Sequence, residues 1–124
     1  MGEKSDFTEL EVWKESRKFR NMIRELIIKL PDDEKYGLIS QMRRASRSVT
    51  HNIAEGHGRF HYQENIQFCR MVRGSLKEVL DQLTVALDEQ YITKSEYESY
   101  IPQYLSCNRL INGYIKFLKK LKNQ

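Results

Sequence analysis

Residues 62–89 read YQENIQFCRMVRGSLKEVLDQLTVALDE. Cys69, Val72, Leu76, Val79, Leu83 and Ala86 follow one another at alternating spacings of three and four. That pattern keeps them on one face of a helix and makes the seam of a left-handed bundle. Phe68, Leu80 and Leu87 widen the seam, so a helix over 62–89 has an apolar stripe to bury against partners.

The same spacing recurs on both sides. Phe19, Ile23, Leu26 and Leu30 place a helix over about 8–30. Thr8 and Glu11 have capping-box spacing at its start, and Phe7 and Val12 stand at the two positions of a hydrophobic staple. Pro31-Asp32-Asp33 stops this helix and offers caps for the next. Leu38, Met42, Ala45, Val49 and Ile53 define a second helix over about 33–56, with an irregularity expected at Gly37. Gly56 and Gly58 suit the left-handed conformation that ends a helix. A fourth helix over about 94–121 follows Thr93, whose spacing to Glu96 repeats the capping box. Ile101, Tyr104, Ile111, Ile115 and Leu118 are expected on its inner face, and Pro102 is expected to kink it or mark a late start. No strand-like alternation of useful length occurs. The sequence predicts one all-α domain over 1–124, an antiparallel up-and-down four-helix bundle.

A chain of 124 residues with 40% hydrophobic and 31% charged side chains can bury a core without staples. Cys69 and Cys107 form no CxxC, so reduced buried thiols in a cytoplasmic protein are expected rather than disulfides. No apolar run is long enough to span a membrane. The MGEKSD start lacks a signal-peptide core, and Asp6 occupies the position where a myristoylation signal requires Ser or Thr.

Net charge is +4 and unevenly spread. Residues 35–59 carry five basic groups against one acidic, and residues 91–124 carry six against two. Residues 1–34 and 60–90 are each mildly acidic. Such alternation suits an anionic partner or self-association of opposite patches.

Within residues 48–59, SVTHNIAEGHGR, polar groups crowd a helix end. His51, Glu55, His57 and His61 invite a metal reading, but the HExxH spacing is absent and two of the four lie in or after a glycine turn. A solvated polar face is the expectation, with metal-dependent activity a third hypothesis behind the two below. Ser48, Cys69 and Cys107 have no GxSxG-type frame, and no phosphate-binding glycine loop is present. No enzyme activity, cofactor or metal is therefore expected. Arg43, Arg44 and Arg47 share one face of the second helix, with His51 a turn further and Glu55 beyond it. Guanidinium groups so placed fit phosphates, against the plainer expectation of a solvated face with local ion pairs. Arg59 and the basic fourth helix, with Arg109, Lys116, Lys119, Lys120 and Lys122, extend the candidate nucleic-acid surface. Neither a helix-turn-helix nor an RRM pattern occurs, so backbone contacts rather than base readout are expected. Gly74 and Gly113 interrupt helices, which close approach of another helix or a subunit contact would explain.

Taken in order, DFTELEVWKES, LPDDEKYGLISQMRRAS, SVTHNIAEGHGR, GSLKEVLDQL and LINGYIKFLKKL cover nearly the whole chain. With NIAEG following an SQMRRA helix, the sequence resembles the four-helix-bundle proteins encoded in intervening sequences of bacterial 23S ribosomal RNA genes. It departs from them at Thr50, where many relatives carry proline, and at Pro102. The resemblance implies a left-handed up-and-down bundle, a ring-like homopentamer, and RNA or ribosome association. It implies motif positions at Arg43, Arg44, Asn52, Glu55, Gly56 and Arg59, with Gly74, Ser75 and Glu78 in the third helix. A more distant likeness is to the accessory protein of diversity-generating retroelements, which binds a reverse transcriptase and nucleic acid. Two functional expectations follow. One is a non-enzymatic homo-oligomer binding RNA or DNA; the other is a protein-interaction scaffold, for example for a reverse transcriptase or other nucleic-acid enzyme.

Overall fold

The computed structural model describes residues 6–124. The MGEKS segment, on which the expectations about a signal peptide and a lipid anchor largely rest, lies outside them. Four helices follow in order: α1 (Glu11–Ile28), α2 (Leu38–His57), α3 (Tyr62–Asp88) and α4 (Lys94–Lys122). No strand occurs among the described residues. Each helix packs against its chain neighbours, and α1 also packs against α4, which closes a four-helix bundle. Contacts ascend one helix as they descend the next. Arg44 meets Glu78 and Ser48 meets Ser75 across α2 and α3. Gln103 meets Glu15 and Glu96 meets Lys29 across α4 and α1. α3 therefore runs opposite to α2, and α4 opposite to α1. No helix among the described residues is long and apolar enough to cross a membrane.

The seam of α3 is buried throughout, from Cys69 to Ala86, and Phe19, Ile23, Met42, Ile53 and Ile111 close around it. Burying each such aliphatic or aromatic side chain contributes about 1.5–3 kcal/mol. On α4 the expected Ile101 is only half-buried, and Tyr100 is the buried residue instead. Pro102 is well inside α4 rather than at its start. The proline is exposed, so its ring points away from the core while the helix continues through it.

Helix ends depart from expectation in two places. Thr8 does not cap α1. Asp6 caps a 3-10 turn at Phe7–Glu9 by accepting from the Phe7 amide, and α1 starts only after extended Leu10. Phe7 packs edge-on against Trp13 at 5.4 Å between ring centroids. The second helix starts at Leu38 rather than near 33, because Gly37 has non-helical backbone angles (φ −111°, ψ −111°). Over that glycine sits the Glu34 carboxylate, accepting from the Leu38 amide at 3.1 Å and from the Tyr91 hydroxyl at 2.7 Å. One carboxylate thus supplies an orphan donor of α2 with a partner and ties that end to the α3–α4 link. The Thr93–Glu96 capping box forms as expected. At the end of α3, Gln90 takes the left-handed conformation (φ 64°), and Tyr91 donates back to the Ala86 carbonyl in a Schellman closure.

Gly56 does not end its helix in the left-handed region. It is buried inside α2, where a Cβ would lie 2.5 Å from Asn65 Oδ1 and 2.9 Å from Phe68 Cβ. The glycine lets α3 approach α2 closely at their shared turn. Gly74 and Gly113 show the reverse: a Cβ at either would meet nothing within 4 Å, so no close approach within the chain explains them.

Two measurements follow. In urea unfolding, Gly56→Ala should cost about 1–3 kcal/mol, because Phe68 Cβ is fixed to its helix and cannot yield without moving it. Gly74→Ala should instead stabilise by about 0.5–1 kcal/mol through helix propensity; equal effects at both positions would contradict this assignment. Secondly, the hydrogen bonds from Tyr91 and the Leu38 amide hold Glu34 below the usual carboxylate range. Its contribution is then present above the unfolded glutamate value of about 4.3 and is lost as pH falls through the lower folded value. Melting temperatures of wild type and Glu34→Gln should therefore converge in acid, and a gap independent of pH would argue against the link.

Candidate nucleic-acid interface

Arg43, Arg44 and Arg47 are exposed on α2, opposite its buried stripe. They are not equivalent. Arg44 is paired with the Glu78 carboxylate of α3. Arg43 and Arg47 have no acidic partner among the described residues and flank a groove between α1 and α2. From the other side of that groove come Arg20 and Arg24, with Asn21, Ser46 and Ile27 completing a cavity of about 320 Å³. Arg20 is half-buried, and its Nη1 donates to Thr50 Oγ1 at 2.8 Å. Burial and the neighbouring Arg17, Arg47 and Arg24 cations lower its proton affinity, yet a guanidinium remains charged in any protein setting. Among the described residues the only ion pair here is an exposed one between Arg24 and its chain neighbour Glu25 at 3.3 Å, which holds little energy. Four guanidinium groups thus converge without a strong internal counter-ion.

Arg17, Arg20 and Arg24 were not among the residues expected from sequence. They lie three and four apart, which was a usable signal. It was hidden because residues 1–34 are net acidic as a block. The fold separates some of those charges: Glu15 turns toward Gln103 on α4, Arg20 and Arg24 line the groove against α2, and Arg17 lies over Trp13.

The basic groove continues in both directions. Asn21 also borders a recess of about 530 Å³ lined by Trp13, Lys14 and Arg17, where Arg17 lies over the Trp13 ring at 5.7 Å. Beyond Arg43 and Arg47, a shallow surface runs past Ser40, Arg44 and Ser48 to His51.

The remaining expected cations lie elsewhere. Arg59 lies just past the end of α2, and the helix from Arg43 to its last residue His57 alone spans roughly 21 Å. It bonds Glu55 at 3.2 Å and stacks over Phe68 at 4.8 Å, so its guanidinium already has partners. Lys116, Lys119 and Lys120 are exposed on the last turns of α4 with no acidic partner among the described residues, and Arg109 is exposed further back. Lys122 donates to Gln63. The four lysines share the last turns of α4 with Phe117 and Leu121, which line a recess of about 730 Å³ together with Phe60, Tyr62, Tyr114 and Asp6. The structure therefore splits the expected surface into an arginine flank and a lysine-rimmed aromatic end.

The other motif positions are mainly structural. Asn52 donates to the Ser48 carbonyl within its own helix. Ser48 and Ser75 share a hydroxyl hydrogen bond of 2.6 Å between α2 and α3. Glu55 accepts from Arg59 and lies 3.9 Å from His51. Among the described residues no group of three His, Cys, Asp or Glu side chains could hold a metal ion. Asn65 was missed. It is a buried polar residue on the apolar seam of α3, donating to Tyr114 on α4 and filling the space that Gly56 leaves open.

These features define an all-α bundle with a basic α1–α2 flank. Over residues 8–113 the chain matches the family described as 23S rRNA-intervening sequence protein, and it belongs to that family. It is also similar to a solved structure from Bacteroides thetaiotaomicron, a protein with unknown function from the S23 ribosomal protein family. The two share 24% identity, with 85% of this chain and 98% of that one covered, at a TM-score of 0.77. At that identity the likeness bears on the fold. No curated protein matches the chain.

Burial pushes the Cys69 thiol up to about 12 and the Cys107 thiol up to about 11. Both should react with a disulfide reagent at mildly alkaline pH far more slowly in the native protein than after unfolding. Rapid stoichiometric labelling of the native chain would show that one of them is an accessible thiolate.

Proposed function

We propose that this chain is a non-enzymatic, homo-oligomeric helical bundle that binds RNA or DNA through its basic faces, with ribosomal RNA the first candidate. The observation that carries this reading is the exposed arginine face of α2, where Arg43 and Arg47 have no acidic partner among the described residues. Guanidinium groups with free N–H forks favour phosphate oxygens, and the family's description adds the connection to 23S rRNA. A cytoplasmic setting accords with two unpaired buried thiols.

Anisotropy titration with structured RNA at several salt concentrations tests this. Affinity should fall linearly on a log–log plot, and Arg43→Ala/Arg44→Ala/Arg47→Ala should reduce the slope by up to about three, one for each phosphate no longer neutralised. Absence of binding at low salt, or no effect of the triple variant, would overturn it.

A scaffold for protein partners, including further copies of this chain in the five-membered ring that the resemblance implies, is the second reading. Its support is the aromatic end, where Phe60 is 91% exposed beside Tyr62 and Phe117. The open surface over Gly74 and Gly113 also leaves room for a neighbour. Light scattering decides the self-association component: a mass several times 14.8 kDa supports it and a strict monomer removes it.

A further inference from the structure

We infer that the α1–α2 groove is a discrete phosphate-binding site, in which Arg20, Arg24, Arg43 and Arg47 seat consecutive phosphates of a nucleic-acid backbone. This rests on the nucleic-acid reading above and adds where the backbone lies and which residues, two of them on α1, hold it.

Three observations support the site. The four guanidinium groups come from two helices and line one concavity of about 320 Å³. Their spacing is not accidental to a flexible surface, because Arg20 is half-buried and anchored through Nη1 to Thr50. A fork held this way loses less conformational freedom on binding than a free surface arginine. Lastly, the cluster has no strong internal counter-ion: Arg20 bonds a neutral hydroxyl, Arg24 has only an exposed neighbour, and Arg43 and Arg47 have no acidic partner among the described residues. Mutual repulsion among these cations is relieved when an external anion enters, and a polyanion with regularly spaced charges relieves it at several positions at once. Ser46 and Asn21 line the same cavity as neutral hydrogen-bonding groups. Trp13 lies at the extension of the groove, packed against the core and covered by Arg17, whose guanidinium plane offers a stacking surface for an unpaired base.

The experiment compares full-length wild type, Arg20→Gln/Arg24→Gln and Lys116→Gln/Lys119→Gln/Lys120→Gln. Each is titrated with a labelled oligouridine of about a dozen nucleotides. The arginine double variant should lose about tenfold or more in affinity and reduce the salt slope by about 1.4, the value for two phosphate contacts on a single strand. The lysine triple variant removes more charge but should stay within about threefold of wild type. If Arg20→Gln impairs folding by circular dichroism, the exposed pair Arg24→Gln/Arg43→Gln takes its place. An arginine variant that binds like wild type, or a lysine variant that loses as much affinity, overturns the site while leaving nucleic-acid binding intact. Thermal unfolding with inorganic pyrophosphate separates the sources of phosphate. If oligouridine does not bind but pyrophosphate raises the wild-type melting temperature and not that of the arginine variant, the site stands as one for free phosphate compounds and the nucleic-acid reading fails. If neither ligand acts, the site is overturned. A polyglutamate peptide that displaces oligouridine from the groove at equal charge concentration would overturn the phosphate assignment in favour of an acidic protein.

Discussion

Close approach of α2 and α3 at Gly56 is the constraint on which the remainder of the molecule depends. With no Cβ there, Asn65 and the Phe68 stem enter the space beside α2. Ser48 and Ser75 touch further along, and Arg44 pairs with Glu78 beyond them. These contacts form a polar zipper beside the apolar seam, and they set the rotation of α2 about its own axis. A different rotation would remove Val49 and Ile53 from the core. Arg44, Gly56, Ser75 and Glu78, four of the motif positions that the resemblance implies, lie on this zipper, where packing and pairing account for them. Asn65 extends the constraint to α4 through Tyr114.

Once α2 is oriented by α3, its opposite flank is turned toward α1. That placement gathers charges that are scattered in the chain. Arg20 and Arg24 are separated from Arg43 and Arg47 by the whole α1–α2 connection, yet all four line one groove. Of the acidic groups of α1, Glu15 is directed to Gln103 and Lys18, and Glu25 makes only an exposed pair with its neighbour Arg24. The outcome is local cationic excess on a chain whose formal charge is only +4. For attraction of a polyanion the local arrangement matters more than the net value, because screening limits each charge to about 10 Å at ordinary ionic strength.

Much of the fold was legible in the sequence because helix packing is written in periodicity. The spacing of Cys69, Val72, Leu76, Val79, Leu83 and Ala86 identified the seam, and Thr93 and Glu96 marked the start of α4. Features that depend on which alternative partner wins were less legible. Thr8 had a sound capping pattern, but Asp6 captured the local amide first and left Thr8 in a 3-10 turn. Gly56 looked like a helix terminator because glycine serves both left-handed turns and close contacts, and only the neighbouring helix decides between them. Tyr100 replaced Ile101 inside because one step along α4 rotates a side chain by about 100°. The candidate site was legible in half. Arg43 and Arg47 stood out in a basic block, whereas Arg20 and Arg24 were concealed by the acidic residues around them in the chain, of which the fold turns Glu15 toward α4.

The measurement that bears most directly on this account is photo-crosslinking of bound RNA, with the attached peptides located by mass spectrometry. Crosslinks concentrated in residues 13–24 and 43–51, the two walls of the arginine groove, are the predicted result. Crosslinks confined to the lysine-rich end of α4, or none at low salt, would contradict it.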